Sequence, residues 1–334
     1  SSSRDKTKAR WWGTEVRFIS TYFMGHKLLS GMEYQWNPHQ DQYAFDIDTN
    51  VDIVNAPVNS HQYGLYIQDE YTWSENLLFN VGLRRDRDAL GQNHLNPRLA
   101  AIYKATPQTT LKALYGTAYR APNAYERFYY AGTGLLNPEK IKTIEGVVEH
   151  YVSDGTRLSL SAYRYKIDDL IDLDSNSGLF FINLGKTSAH GLEMEGEHHF
   201  DNDARLKASY TWQHAKDGGT GETLDNSPRH LAKLNYTTPL FKGWLQTGLE
   251  LQYTSARKTY LGGTVPGFTV ANLTLLSTKL AKNTDIYASI YNLFGKQYSD
   301  PPSNEHIDEL GRPLVGLGQD GRNFRIGLAY RFGL

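Results

Sequence analysis

The sequence predicts an all-β fold, a transmembrane antiparallel β-barrel with lipid outside and a polar lumen, and three observations predict it. Apolar and polar residues alternate again and again. In 204–213, Leu206, Ala208, Tyr210 and Trp212 share one face while Lys207, Ser209, Thr211 and Gln213 share the other. In 324–332, Phe324, Ile326, Leu328, Tyr330 and Phe332 oppose Arg325, Gly327, Ala329 and Arg331. A period of two marks a strand. The connections between these bursts are short on one side and long on the other, as in outer-membrane barrels. The chain also carries 23 Tyr and 6 Trp, amphipathic rings of the kind that gird such barrels at both bilayer interfaces.

Composition removes competing classes. The 334 residues show no linker, and a hydrophobic share of 40% is too low for a thick two-sided core. No run of about 18 apolar residues exists, which excludes transmembrane helices but not a barrel, whose strands expose only alternate residues to lipid. A net charge of −1 gives no basic footprint for nucleic acid. The absence of Cys excludes disulfides and thiolate metal sites. Residues 1–6 have no apolar segment and are not a signal peptide.

Taken in order, strands are expected at 10–23, 26–37, 60–73, 76–86, 94–104, 109–120, 141–152, 156–173, 179–199, 204–214, 229–238, 243–256, 267–280, 283–294 and 322–334. Tight turns separate them at 24–25, 73–75, 105–108, 153–155, 201–203, 239–242 and 281–282. Long loops fall at 38–59, 121–140, 215–228, 257–266 and 295–321, with shorter ones at 87–93 and 174–178. The last strand ends on the tight-turn, periplasmic side, and counting back places residues 1–9 outside the cell. An odd strand number leaves two open edges, and unpaired backbone cannot face lipid. The chain is therefore expected to be the C-terminal portion of a larger barrel.

Several segments carry a family pattern. They are Tyr63-Gly64-Leu65-Tyr66-Ile67-Gln68-Asp69-Glu70-Tyr71, then Val81-Gly82-Leu83-Arg84, then Asn96-Pro97-Arg98-Leu99. Next come Tyr115-Gly116-Thr117-Ala118-Tyr119-Arg120-Ala121-Pro122 with Glu126, and Asn137-Pro138 through Glu145-Gly146. His190-Gly191-Leu192-Glu193-Met194-Glu195 and Tyr291-Asn292-Leu293-Phe294-Gly295-Lys296-Gln297-Tyr298 complete the set. In this order they resemble the barrel of TonB-dependent outer-membrane receptors, with Tyr119 where the family usually has Phe, and Lys140 departing from its usual Pro–Glu pattern. That family's barrel has about 22 strands around a plugged lumen. The resemblance implies that this chain holds the last fifteen, and that the plug domain and first strands are absent from it. It also implies a Gram-negative outer-membrane location, no enzyme activity and no cofactor. The implied function is import of a ferric siderophore with TonB-relayed energy. The implied partners are the TonB complex (through the missing N-terminal region), the plug domain, outer-membrane lipid and the barrel-assembly machinery, which would read the C-terminal strand.

Candidate site residues follow from chemistry and place. Arg84, Lys112, Arg120, Glu193, Glu195, Glu197, Lys207, Lys233, Glu250, Arg325 and Arg331 are expected to face the lumen, most as a solvated or plug-bonded wall. Arg120 precedes Ala121-Pro122, a strand exit, and either ends the strand or pairs with plug carboxylates or an anionic ligand. Loop 121–140 brings Tyr125, Arg127, Tyr129 and Tyr130 together, aromatics beside a cation, which suit an aromatic anionic chelate or simply pack as girdle. With Arg84 and Arg120 these are the ligand-binding candidates. Asp46-x-Asp48 offers hard oxygens but lacks the glycine and distal Glu of a calcium loop, so Asp41, Asp46, Asp48, Asp52 and the acids of 295–321 are read as solvated loop charge. His198 and His199 point to opposite faces, and 123–136 holds no His for haem. No catalytic constellation or metal site stands out. Rival readings are a passive porin, a receptor for cobalamin, haem or a glycan, and an adhesin.

Overall fold

The computed structural model describes residues 2–128, 136–173, 180–303 and 306–332. Its strands begin with β1 (Ser3–Ser20), β2 (His26–Asp46), β3 (Val51–Ala56), β4 (Ser60–Ser74), β5 (Leu77–Arg87), β6 (Asn93–Lys104) and β7 (Thr109–Arg120). After the short helix α1 (Ala124–Phe128) come β8 (Glu139–Ser153), β9 (Thr156–Leu173), β10 (Phe181–His199), β11 (Arg205–Asp217), β12 (His230–Leu240) and β13 (Leu245–Thr254). The chain continues through β14 (Arg257–Lys258), β15 (Thr264–Val265), β16 (Phe268–Ala281), β17 (Thr284–Tyr291), β18 (Ser299–Asp300), β19 (Leu317–Gly318) and β20 (Asn323–Tyr330).

One antiparallel meander, β1-β2-β4-β5-β6-β7-β8-β9-β10-β11-β12-β13-β16-β17-β20, carries the fifteen strands expected from the alternation. β3 pairs with the outer part of β2, while β14 pairs with β15 and β18 with β19 in external loops. β1 and β20 are the two edges and are not paired with each other among the described residues.

Segment 38–59 corrects the sequence reading, which made it a loop. β2 continues to Asp46, β1 starts as early as Ser3, and Val51–Ala56 adds a strand against β2. Within this ribbon Ser3–Lys8 are all polar, so β1 carries no greasy face there. Side-chain amides and hydroxyls tie it instead, as from Thr7 Oγ1 to Gln42 Oε1 at 3.2 Å and from Asn37 Nδ2 to Ser60 Oγ at 3.0 Å. β17 stops at Tyr291 because Asn292 turns left-handed (φ 49°). Its side chain donates to the Lys296 carbonyl at 2.8 Å and accepts the Lys296 N–H at 2.8 Å. That is the physical role of Asn292 in the segment Tyr291–Tyr298.

Register assigns the two faces. Residues opposite each other in an antiparallel pair point the same way, and Glu197, Lys207, Asn235, Glu250 and Asn272 form one unbroken row across five strands. All eleven charges expected in the lumen lie on this inner face by the same bookkeeping, Arg331 through its ion pair with Asp285. The opposite face is apolar and open. Val16 is 62% exposed, Ile144 62%, Met194 54% and Ile326 82%, values a water-soluble sheet would bury. Fully buried apolar side chains are few and mostly small, such as Ala44, Ala189, Ala215 and Ala271. A single-layer wall whose outer face is covered by lipid has this distribution. At the tight-turn rim, Tyr22, Phe23, Trp73, Phe241 and Trp244 stand exposed as an aromatic girdle.

Candidate ligand-binding mouth

Part-way along the wall, the inner face of β1, β2 and β4–β7 holds a recess of about 610 Å³ lined by Glu15, Tyr66, Gln68, Arg84, Asn96 and Arg98 among others. Small residues make room for it. A side chain at Gly64 would put its Cβ 2.4 Å from Arg84 Nη2, and one at Gly31 would strike the Tyr66 hydroxyl at 2.3 Å. Arg84 and Tyr66 can therefore lie flat on the wall. Arg84 donates to Glu33 at 2.6 Å and to Asp86 at 2.8 Å, and Tyr66 donates to Glu15 at 2.6 Å. Arg84 thus faces the recess with its charge already matched. Arg98, which the sequence reading quoted only within a motif, lines the same recess and has no ion pair among the described residues.

Arg120 sits at the rim, and its donors are engaged by its own chain. Nε and Nη2 grip Glu139 at 2.6 and 2.8 Å, and Nη1 reaches both oxygens of Glu126 at 2.8 and 2.9 Å. Glu126 in turn accepts the Asn123 N–H at 2.8 Å while Asn123 Oδ1 accepts the Glu126 N–H at 2.9 Å, a reciprocal helix cap. Arg120, Pro122 and Glu126 together turn the strand into α1. Tyr125 meets Phe181 edge-on at 5.9 Å. Arg127 lies 4.6 Å over the Phe128 ring, and burial lowers its pKa. Tyr129 and Tyr130 lie outside the described residues.

Sequence reasoning missed two further features. Asp88, 1% exposed, accepts the N–H groups of Leu90 and Gln92 and pairs with His94 at 2.7 Å, and His94 stacks on Tyr119 at 3.7 Å. The left-handed Gly91 within 87–93 was the available signal. Arg257, with a side chain only 9% exposed, joins three external loops through Asn226 at 3.1 Å, Asp300 at 2.6 Å and the Phe268 ring at 5.7 Å. Three of the loop acids also need correction, while Asp52, Glu309 and Asp320 are exposed as expected. Asp41 is buried against the Val58 N–H and His39, Asp300 is paired, and Asp308 caps its own turn and holds Arg312 at 2.7 Å. They are structural groups because each meets a backbone donor or a cation. Among the described residues no group of three or more His, Asp or Glu is placed to hold a metal ion.

Comparison with known proteins gives three findings. The family model described as TonB dependent receptor-like, beta-barrel, matches residues 1–293. The vitamin B12 transporter BtuB of Vibrio cholerae serotype O1 is 27% identical over 233 residues, which cover 68% of this chain and 37% of BtuB. Among solved structures, the ferric-catecholate import receptor Fiu from E. coli aligns with TM-score 0.75 at 17% identity, covering 98% of this chain and 55% of Fiu. A mutant of the ferric enterobactin receptor PfeA from Pseudomonas aeruginosa aligns with TM-score 0.77 at 18% identity, covering 98% of this chain and 54% of PfeA. The chain thus spans about half or less of each relative's length.

Proposed function

Because the chain belongs to the TonB-dependent receptor-like β-barrel family, transporters of the Gram-negative outer membrane, we propose that it forms the C-terminal barrel portion of a ferric siderophore receptor. External loops and the inner-wall recess capture the chelate, and TonB-relayed energy, acting through a plug in the lumen, drives import. The two edges of the meander, β1 and β20, support a larger closed barrel, since their backbone groups need strand partners in lipid. A plug and further strands would precede this portion in the whole protein.

The observation that carries the cargo reading is the recess itself. An uncommitted guanidinium (Arg98), a second held flat by carboxylates (Arg84) and an aromatic ring (Tyr66) line one hollow on the inner wall. Cations and aromatic faces together suit an anionic aromatic chelate. The names of Fiu and PfeA agree with such a cargo. Arg84 and Arg98 would meet the ligand or plug, Tyr125 and Arg127 would form the lip, and Arg120 would hold that lip in place.

Uptake of iron-labelled catecholate in a strain lacking the native receptor tests this. Restoration by the whole protein is expected, with Arg98→Gln weakening binding about tenfold, the effect of one lost charge-assisted hydrogen bond. The likeness to BtuB favours one second reading, a cobalamin receptor. Restored uptake of labelled cobalamin without iron would replace the siderophore. A steady single-channel conductance would point to a passive pore.

A further inference from the structure

Above Gly116 the strands β6 and β7 part. Their ladder ends at the Arg98–Gly116 pair, whereas β7 stays paired with β8 up to Arg120–Glu139. Thr117 Oγ1 donates to Asn96 Oδ1 at 3.3 Å across the opening. Next to them the Tyr119 ring lies on the His94 ring, with centroids 3.7 Å apart and planes within 12°. His94 is fixed from behind. Its side chain is 4% exposed, and its Nε2 is 2.7 Å from Asp88, which is 1% exposed and accepts the N–H groups of Leu90 and Gln92. In front, Tyr119 borders two hollows. One is the recess that Arg98 lines. The other, of about 340 Å³, is lined by Trp11, Gln35 and Gln62 among others and shares Arg84 and Asp86 with the first. Tyr119 is half-buried, yet its hydroxyl makes no hydrogen bond among the described residues. The charges that act on it are bonded elsewhere, Asp86 to Arg84 at 2.8 Å and Asp88 to His94.

We propose that Tyr119 determines cargo specificity: where the two hollows meet, its phenol donates a fixed hydrogen bond to an acceptor oxygen of the cargo. Asp88 and His94 act through it as positioning residues. The proposal rests on the recess being the cargo site and names a further contact within it. A phenol is protonated at neutral pH and so is ready to donate. Packing alone asks only for a ring, and Phe, usual in the family at this position, would supply one. The hydroxyl adds a polar group that is unfavourable in a half-buried place unless it finds a partner. The stack already restricts the ring, so little freedom is lost when the bond forms. Arg98 and Tyr119 are then two donors without protein partners in one trough, while the charge of Arg84 is matched. A cargo with acceptor oxygens at two places satisfies both. An analogue lacking the second oxygen leaves the phenol unpaired, the situation in which a polar site discriminates most strongly.

The test uses the whole protein in nonionic detergent and iron-labelled catecholate, with affinity read at equilibrium. Tyr119→Phe should weaken binding about fivefold, the effect of one neutral hydrogen bond, and keep the heat-modifiable mobility of a folded barrel. His94→Gln still offers Asp88 a donor but removes the stack. It should weaken binding about threefold in the wild-type background and have no effect in Tyr119→Phe, a coupling that a merely structural role would not produce. Equal loss from His94→Gln in the two backgrounds overturns the positioning role. Arg98→Gln separates the proposal from the cargo reading. Where Arg98→Gln weakens binding and Tyr119→Phe leaves it unchanged, the assignment of Tyr119 is overturned and the recess stands. Where neither changes it, the cargo sits elsewhere and both are overturned. A whole protein that does not bind catecholate is titrated with labelled cobalamin, and the same variants are read against that probe with the same expectations. Binding of neither probe overturns both readings. Where His94→Gln does not fold, fluorotyrosine at position 119 is read by NMR with gallium catecholate. A shifted resonance is expected, and an unmoved one overturns the contact.

Discussion

The two faces of β7–β11 are built on one backbone, yet they handle charge in opposite ways. On the inner face, signs alternate from strand to strand: Lys112 pairs with Glu149 at 2.8 Å, Glu149 with Arg157 at 2.9 Å, Arg157 with Glu195 at 3.5 Å and Glu195 with Lys207 at 3.4 Å. On the outer face, the same strands set cation beside cation, as in Lys142 opposite Lys166. The inner wall supplies its own counter-ions and the outer wall does not. Parity along a strand therefore says which medium a side chain meets. Only pairing across strands says whether its charge is settled within the protein.

Substitutions can break or sharpen this contrast. The largest effect is expected for Leu160→Arg, an outer residue within the apolar rows, at about 2–4 kcal/mol in a bilayer folding assay. Lys207→Arg on the inner face should be nearly silent, and equal costs would erase the distinction between faces. Leu206 shares the outer face but opposes His198 near the tight turn at 201–203, so Leu206→Arg should cost only about 0–1 kcal/mol. A smaller contrast separates Glu149→Gln from Lys166→Gln. The first leaves Lys112 and Arg157 without their shared carboxylate and should cost about 1 kcal/mol, allowing for solvent screening. The second removes an unpaired charge and should leave unfolding in detergent unchanged.

At the rim, Arg120→Ala should cost about 1 kcal/mol and speed proteolytic cleavage within 121–138 while the sheet stays intact. Unchanged cleavage would mean that the guanidinium does not hold the lip. The mildest effect lies outside both faces. The hydrogen bond from Lys258 lowers the pKa of Glu222 below its ordinary value. This tie between two loops is present at neutral pH and is lost as pH falls through the lowered pKa. A carboxyl NMR titration of Glu222 should show a midpoint that rises in Lys258→Gln, and an unmoved midpoint would remove the tie.

The meander was legible because each of its strands carries an apolar face for lipid, and the boundaries of β7 and β9 came out as expected. Ser3–Arg10 and the outer part of β2 were not legible, since in water a ladder needs no greasy face. Arg120 was seen but its partners were not. Glu126 sat in the quoted motif, while Glu139 reaches Arg120 only through the β7–β8 register. Lys142 and Lys166 escaped for a different reason. An alternation read as oily outside and polar inside has no place for a cation on the oily side, and height above the apolar rows depends on how strands align.

The ribbon made by Ser3–Arg10 and His39–Asp46 runs for eight residue pairs, about 27 Å of strand, beyond the Trp12–Trp36 pair. Braced by β3, it stands like a stalk on the cell's surface. A molecule arriving from the external side would meet its tip before it reached the wall.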